Sequence, residues 1–532
     1  MSSISYFNMP GSRRYFLFCA AILALSMGPF RSHAAPIATS HAECAALAGA
    51  DFSTVPDAPT QIIESKTVAP SGDVPAYCQA SGYVTPNVGF VLRMVQENWN
   101  GKFIELGCLG FCGSTDIAVM CDDPVRKGYA CIVSDNGHKS TAGDAKWAYN
   151  NAVAEIDHAF RGAHVTALAG KAIVERFYGR AARKSYFMGC STGGRQAMME
   201  AQRFPWDFNG IVAGAPSLSV TGVHMNILWT ARSLGDKAGA SLLNRADLTL
   251  LHNAVLAKCD LGDGIQDGLI ANPRSCHFEP SELLCTAGKK TQCLSAPQIA
   301  AVKKMYNGPV NSNGEAIYVS GAFEGSELTW LDLPLKSMAN FAQEEFRYSA
   351  FEPNAGPMWK SEDFDFDRDY KRLGVEESLS SAVNPDLRKF KAAGGKLLSY
   401  FGWNDLSGMG AVVDYFETAT KILGGPANTQ DFYRLFAIPG MNHCTGGEGA
   451  YAVDYLKYLD DWVETGNAPE TLLSSHLRLD KPNDFMQLMT LKFPLDPVQV
   501  EFSRPVYPYP ILAKYKGTGD PNKAESFGPS EP

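Results

Sequence analysis

The sequence predicts an α/β chain, in which a mostly parallel sheet is covered by helices on both faces and interrupted by one large insertion. Three observations carry this. Short apolar runs alternate with helix-periodic segments over the first half of the chain, the rhythm of strand–helix–strand units. One such run, Tyr186 to Met188, feeds Gly189-Cys-Ser-Thr-Gly193 and then a helical pattern, Arg195 to Arg203. After Pro216 the rhythm breaks, and it resumes only at Gly394. At 532 residues the chain is too long for one simple core, so a large domain carrying a second is expected.

In chain order, residues 35–75 are mixed and punctuated by proline. Gly89–Val95 and Lys102–Leu106 alternate as strands. A glycine-rich segment, Gly107–Gly113, separates them from a strong strand, Tyr129–Ser134. Trp147–Phe177 is helix-periodic through Ala152, Ile156, Ala159, Phe160, Val165, Leu168 and Ile173. The 184–195 turn follows, then a strand at Gly210–Gly214. Residues 217–385 read as irregular, with four cysteines and scattered aromatics (Trp229, Trp330, Phe346, Tyr348, Phe351, Trp359). Lys396–Phe401 and Arg434–Ile438 return to strand. From Lys514 on the tail is polar and reads as loose. The domain reading is therefore a sheet domain from 35–216 and 386–532, with 217–385 inserted on its loop side as a lid.

The N-terminus reads as a targeting leader, 1–34. Arg13 and Arg14 precede an apolar run, Tyr15 to Phe30, and small residues around Ala34 offer a cleavage site. Ser12 to Leu17 fits a twin-arginine leader, with an ordinary secretory leader as the alternative. Both imply a secreted or periplasmic chain. The run is short for a membrane span. Net charge is −9, and loss of the three leader arginines takes it to −12. Without a basic block, nucleic acid and anionic membrane surfaces are poor partners. Of 13 cysteines, Cys19 lies in the leader. The remaining twelve, an even number in an exported chain, read as a disulfide framework that includes Cys44, Cys78, Cys259, Cys276, Cys285 and Cys293. Cys108, Cys112, Cys121 and Cys131 cluster around the glycine-rich segment, and their pairing stays open.

Strand, Gly-x-Ser-x-Gly, helix is the context of a nucleophile elbow, a turn so tight that the residues flanking the serine must be small. It holds the Ser191 hydroxyl at its tip. A serine nucleophile needs a base, and the base an orienting acid, in the order Ser, Asp or Glu, His. Asp405 follows the strand that ends near Phe401, which places it on the elbow's face of the sheet; Asp414 and Asp431 compete from helical or pre-strand contexts. Of the two histidines after that point, His443 sits in a glycine-rich loop, Pro439 to Gly447, and His476 in a polar stretch. The expected triad is Ser191, Asp405 and His443. Cys190 precedes the serine and Cys444 follows the histidine, so a bond between them would force the two into neighbouring space. The oxyanion needs two backbone N–H donors: Thr192, next to the nucleophile, and Gly110 in the glycine-rich segment.

Cys259 to Leu269 crowds Asp260, Asp263 and Asp267 into one short loop. Three close carboxylates repel unless a cation sits among them, and hard oxygen ligands suit calcium. A solvated Asp-Gly turn is the alternative.

Gly-Cys-Ser-x-Gly-Gly-Arg (189–195), Gly-Trp-x-Asp (402–405), Pro-Gly-Met-x-His-Cys (439–444) and the 259–269 loop together resemble the tannase/feruloyl esterase family of α/β-hydrolases, which includes the mono(2-hydroxyethyl) terephthalate hydrolases. The resemblance spans nearly all of the chain after the leader. It implies an α/β-hydrolase domain, a lid that shapes the acyl pocket, and a structural calcium in the lid held by Asp260, Asp263 and Asp267 with the carbonyls of Ile265 and Leu269. The chain departs from the family in having no cysteine in the segment around Arg504–Pro510, and in placing Cys108 and Leu109 where glycines are usual. The expected activity is hydrolysis of small aromatic esters through an acyl-enzyme, feruloyl esters first, galloyl or terephthaloyl esters next. A catalytically idle binding protein on the same fold is the alternative from another class.

Overall fold

The computed structural model describes residues 41–531 apart from 237, 289, 320, 482 and 483. The predicted leader lies outside the described residues. Nine strands form the main sheet: β1 (Thr60–Val68), β2 (Tyr77–Val84), β3 (Val88–Val95), β4 (Lys102–Leu106), β5 (Ala130–Ser134), β6 (Lys184–Cys190), β7 (Gly210–Gly214), β8 (Lys396–Gly402) and β9 (Tyr433–Ile438). Their order is β1-β2-β3-β5-β4-β6-β7-β8-β9. The pairings β1–β2, β2–β3 and β3–β5 are antiparallel, and every pairing from β5 to β9 is parallel.

Parallel neighbours need crossover helices, and these bury both faces of the sheet. Helix Gly162–Tyr178 leads into β6, Thr192–Arg203 joins β6 to β7, and Gly410–Ile422 lies between β8 and β9. Adjacent strand residues divide between two cores, as period-two geometry requires. Phe103, Phe187, Ile211 and Leu397 enter one, while Ile104, Tyr186, Val212 and Leu398 enter the other, under helix Tyr455–Thr465. Strands β4, β5 and β7 are buried throughout; β5 and β7 accordingly read as nearly unbroken apolar runs, while β4 carries Lys102 and Glu105.

Three expectations are corrected. The helix expected over 147–177 starts at Ala152 and carries a π turn at Asp157–Arg161 before running on to Tyr178. The carbonyls of His158 and Ala159, within that wider turn, accept from the Arg195 guanidinium. The stretch between β7 and β8, read as irregular, carries α-helices at Val220–Leu234, Arg245–Cys259, Ala296–Asn307, Leu335–Tyr348 and Gly374–Ser380. Capping boxes at Asn244/Asp247 and Ser295/Gln298 start two of these helices. The stretch has its own apolar centre, including Leu248, Leu251, Ile299, Val302 and Trp330. The tail is not loose, because Leu512–Tyr515 pairs antiparallel with Phe527–Ser530. Phe527 is buried, and the Arg504 guanidinium lies 4.5 Å from its ring centre. No helix among the described residues is long and apolar enough to cross a membrane.

All twelve cysteines after the leader are paired: Cys44–Cys78, Cys108–Cys112, Cys121–Cys131, Cys190–Cys444, Cys259–Cys276 and Cys285–Cys293. The cluster whose pairing the sequence leaves open closes locally, over four and ten residues.

Candidate active site

Ser191 follows β6 and is the N-cap residue of the helix Thr192–Arg203, with φ 62° and ψ −121°. That is a backbone conformation a non-glycine residue adopts only when its surroundings impose it. The flanking glycines let the turn close: a Cβ on Gly189 would stand 2.5 Å from the Gly193 backbone, and one on Gly193 would stand 2.9 Å from the Cys108 carbonyl oxygen. The Ser191 amide donates to the Gly214 carbonyl at the end of β7. Among the described residues, Ser191 Oγ has no hydrogen-bond partner, so the hydroxyl is left to the cavity it borders.

Asp405 follows β8 and is fully buried. One carboxylate oxygen is 2.6 Å from His443 Nδ1, and the other accepts the Ser407 amide at 2.8 Å. The His443 side chain keeps about a third of its surface (35%) open. Burial works against the charged imidazole, but the charge of Asp405 and its hydrogen bond outweigh this, so the His443 pKa lies above the usual histidine value. The Cys190–Cys444 bond, with Cα atoms 5.8 Å apart, ties the elbow to the histidine loop. Ser191, Asp405 and His443 line one cavity of about 580 Å³. The competing acids Asp414 and Asp431 and the competing histidine His476 do not line it; His476 Nδ1 instead binds the Gly449 carbonyl.

Gly110 has φ +55°, and a Cβ there would meet the Ala142 carbonyl oxygen at 2.2 Å, so the position accepts only glycine. Its carbonyl accepts from Thr192 Oγ1 at 2.6 Å, which brings both predicted oxyanion residues together at the cavity. Among the described residues, the amides of Leu109 and Gly110 have no hydrogen-bond acceptor. Phe111 N–H by contrast donates to the Ala142 carbonyl.

Two supporting residues carried no role in the sequence reading. Gln196 accepts the Cys108 amide and donates to Asn136, holding the glycine-rich segment against the nucleophile helix. Arg195, with no exposed surface, donates to the carbonyls of His158, Ala159 and Ser380. Burial lowers its pKa to about 10, so it stays charged near neutrality. The signal was present as the Arg of Gly-Gly-Arg, but its partners come from two distant segments.

The far wall of the cavity comes from the stretch between β7 and β8, through Val220, Val223, Ile227, Leu333, Met338 and Phe341. The rings of Phe111, His224 and Phe341 pack on one another at 5.0–5.3 Å. The wall is thus mainly apolar, with a few polar groups, as expected of a small-molecule site.

The acidic loop folds as a short turn. Asp260 accepts the amides of Asp267 and Gly268, Asp263 that of Ile265, and Asp267 that of Leu269. Asp260 and Asp263 are buried. Burial, followed by the charges of Asp267 and Asp260, pushes the Asp263 carboxyl up to about 7. Arg504 reaches Asp267 at 2.7 Å, and the three carboxylates stand further apart than 4.8 Å as a set. Their donor chemistry, hard anionic oxygens whose mutual repulsion a cation relieves, fits calcium.

The family model for tannase and feruloyl esterase matches residues 73–529. The chain is 33% identical to a mono(2-hydroxyethyl) terephthalate hydrolase of Piscinibacter sakaiensis, over 93% of this chain and 92% of that one. It is 30% identical to a probable feruloyl esterase B-2 of Aspergillus flavus, over 76% and 81% respectively. Its fold matches a crystal structure of feruloyl esterase B from Aspergillus oryzae with a TM-score of 0.77 at 24% identity, covering 92% of this chain and 100% of that one. A tannin acyl hydrolase from Aspergillus niger matches with a TM-score of 0.69 at 19% identity, over 93% and 95%. This chain is therefore a carboxylic ester hydrolase and belongs to the tannase and feruloyl esterase family.

Proposed function

We propose that the chain is an exported serine esterase acting on small esters of aromatic carboxylic acids, with feruloyl (hydroxycinnamoyl) esters as first substrates. The observation that carries the mechanism is the Asp405–His443 hydrogen bond at the edge of the cavity that Ser191 borders. Ser191 Oγ attacks the ester carbonyl carbon while His443 Nε2 takes its proton. The negative charge that develops on the carbonyl oxygen is met by the amides of Thr192 and Gly110. His443 returns the proton to the leaving alkoxide, the C–O bond breaks, and an acyl-enzyme remains. Water, deprotonated by His443, then releases the acid and restores Ser191. Asp405 keeps Nδ1 protonated and offsets the imidazolium charge throughout.

The aromatic acyl group is supported by the Phe111–His224–Phe341 stack and the apolar wall, where flat rings gain contact area. It is also in keeping with the names of the relatives. The leader and the six disulfides support export. The stretch 217–385 serves as the lid over the cavity. Labelling by a fluorophosphonate should modify Ser191 and no other serine. In a panel of methyl ferulate, methyl gallate, a terephthalate monoester and a butyrate ester, the aryl esters should have the higher kcat/KM. Preference for butyrate, or no labelling, refutes the reading.

We also propose that Asp260, Asp263 and Asp267, with the carbonyls of Ile265 and Leu269, hold a structural calcium. When bound, the ion neutralises the loop and stiffens the lid, and it takes no part in the chemistry. Protein purified without chelator should contain calcium by elemental analysis. Chelation should lower its thermal midpoint and leave fluorophosphonate labelling intact. Calcium-free protein with an unchanged midpoint refutes this.

A further inference from the structure

Behind the nucleophile helix, away from the cavity, lies a second cluster of ionisable side chains that the esterase chemistry does not use. Among the described residues, His164, Glu200 and Asp207 are the only three such side chains whose ligand atoms all lie within 4.8 Å of one another. They come from different elements: His164 from helix Gly162–Tyr178, Glu200 from the nucleophile helix, and Asp207 from the connection into β7.

Glu200 has no exposed surface, and neither of its carboxylate oxygens accepts from an N–H or hydroxyl donor; its polar neighbour is the Asp207 carboxyl. A carboxylate in that position is costly unless a proton or a cation sits on it. Glu105 on β4 is nearly as buried and also leaves one oxygen unpartnered. Lys171 is the ammonium of the group, and it donates to the Asp207 main-chain carbonyl. Three carboxyl groups, Glu105, Glu200 and Asp207, thus share the neighbourhood of one ammonium, Lys171. The His164 ring is fixed by stacking on Phe204 at 3.8 Å, and its Nδ1 lies 2.6 Å from Asp207 Oδ2. One imidazole nitrogen with two carboxylates is a mixed N/O donor set. It suits a borderline transition-metal ion such as zinc, with bonds of about 2.0–2.2 Å, better than calcium, which takes oxygen alone. A surface cavity of about 520 Å³, lined by His164 and Lys171, gives an ion a way in.

We propose that His164, Glu200 and Asp207 form a binding site for one divalent transition-metal ion, which fastens the nucleophile helix to helix Gly162–Tyr178. It is separate from the acidic loop and from the ester-cleaving centre. The competing occupant is a proton shared between Glu200 and Asp207.

The test is calorimetric titration of the full mature chain with Zn²⁺, after chelator treatment and reloading with calcium. One equivalent should bind, survive desalting and raise the thermal midpoint. Glu200→Gln and His164→Gln should each weaken uptake by about a hundredfold, and Asp263→Asn should leave it unchanged. His164 lies at the cavity edge, so its variant carries the test if Glu200→Gln does not fold. The proposal is overturned if the parent chain takes up no zinc, if both variants bind as well as the parent, or if Asp263→Asn abolishes uptake. A parent chain that binds no zinc, with a Glu200→Gln variant more stable than it, assigns the proton.

Discussion

His443 is under two opposing influences: burial disfavours its charged form, and Asp405 favours it more strongly. The sign of the net effect sets a pH dependence. A base must be neutral to accept the Ser191 proton, so activity is lost as pH falls through the His443 pKa. The acid limb of kcat/KM in the free enzyme should have its midpoint above 6.5, the unperturbed histidine value. Asp405→Asn removes the charge and favours the wrong tautomer, so it should cost about 10⁴-fold in kcat. Ser191→Ala should cost at least as much. Near-normal turnover in Asp405→Asn would assign the acid elsewhere. The grouping of Ser191, Asp405 and His443 at one cavity was legible because each stands in a short motif whose local geometry does the placing. Arg195 and Gln196 were not, because their roles depend on partners up to 185 residues away, such as the Ser380 carbonyl.

Among the elements, the elbow and the histidine loop are joined by a covalent bond beside Ser191 and His443. Cys190–Cys444 closes a separation of 254 residues, for which the chain-entropy model gives about 5 kcal/mol of stabilisation. Its position adds a second effect, since a misplacement of about 1 Å between nucleophile and base can cost ~10²-fold. Replacing both cysteines by serine should therefore lower kcat at a temperature where the variant is still folded by circular dichroism. Full kcat in the folded double variant would reduce the bond to a stability role. The sheet itself was readable because its central strands are short apolar runs, such as Ala130–Ser134 and Gly210–Gly214, set between helix-periodic segments. The helices between β7 and β8 were missed because cysteines, glycines and aspartates in the connections masked periodic segments such as Leu335–Tyr348. Their capping boxes at Asn244 and Ser295 were nonetheless visible in the sequence. The tail hairpin was missed for a different reason: its anchors, Phe527 beneath Arg504 and against Tyr515, and the Ala524 amide on Ser503, are isolated contacts in an otherwise polar stretch.

For the whole molecule, charge should discriminate among the proposed aromatic ester substrates. The chain carries a net charge of −9. Among the described residues lining the cavity, the only arginine or lysine is Arg195, whose guanidinium is already committed to main-chain carbonyls. Asp332 stands in the same wall, 3.8 Å from Arg245, and Arg245 does not line the cavity. An acyl group bearing its own carboxylate, as in a terephthalate monoester, should therefore meet Asp332, offset only by the largely exposed Arg245, and no cation free to pair with it in the cavity lining. A neutral feruloyl or galloyl ester meets no such opposition. At a separation of about 8 Å and an effective dielectric of about 40, the repulsion is roughly 1 kcal/mol, or ~5-fold in binding. Asp332→Asn should lower KM for the monoester by about that factor, with little change for methyl ferulate. The monoester's KM in the parent enzyme should also fall with added salt, which screens the repulsion. Equal KM shifts for both substrates in Asp332→Asn would mean that the residue shapes the wall rather than selecting by charge. A parent enzyme that prefers the monoester to its neutral methyl ester would place a cation at the acyl end that the described side chains do not supply.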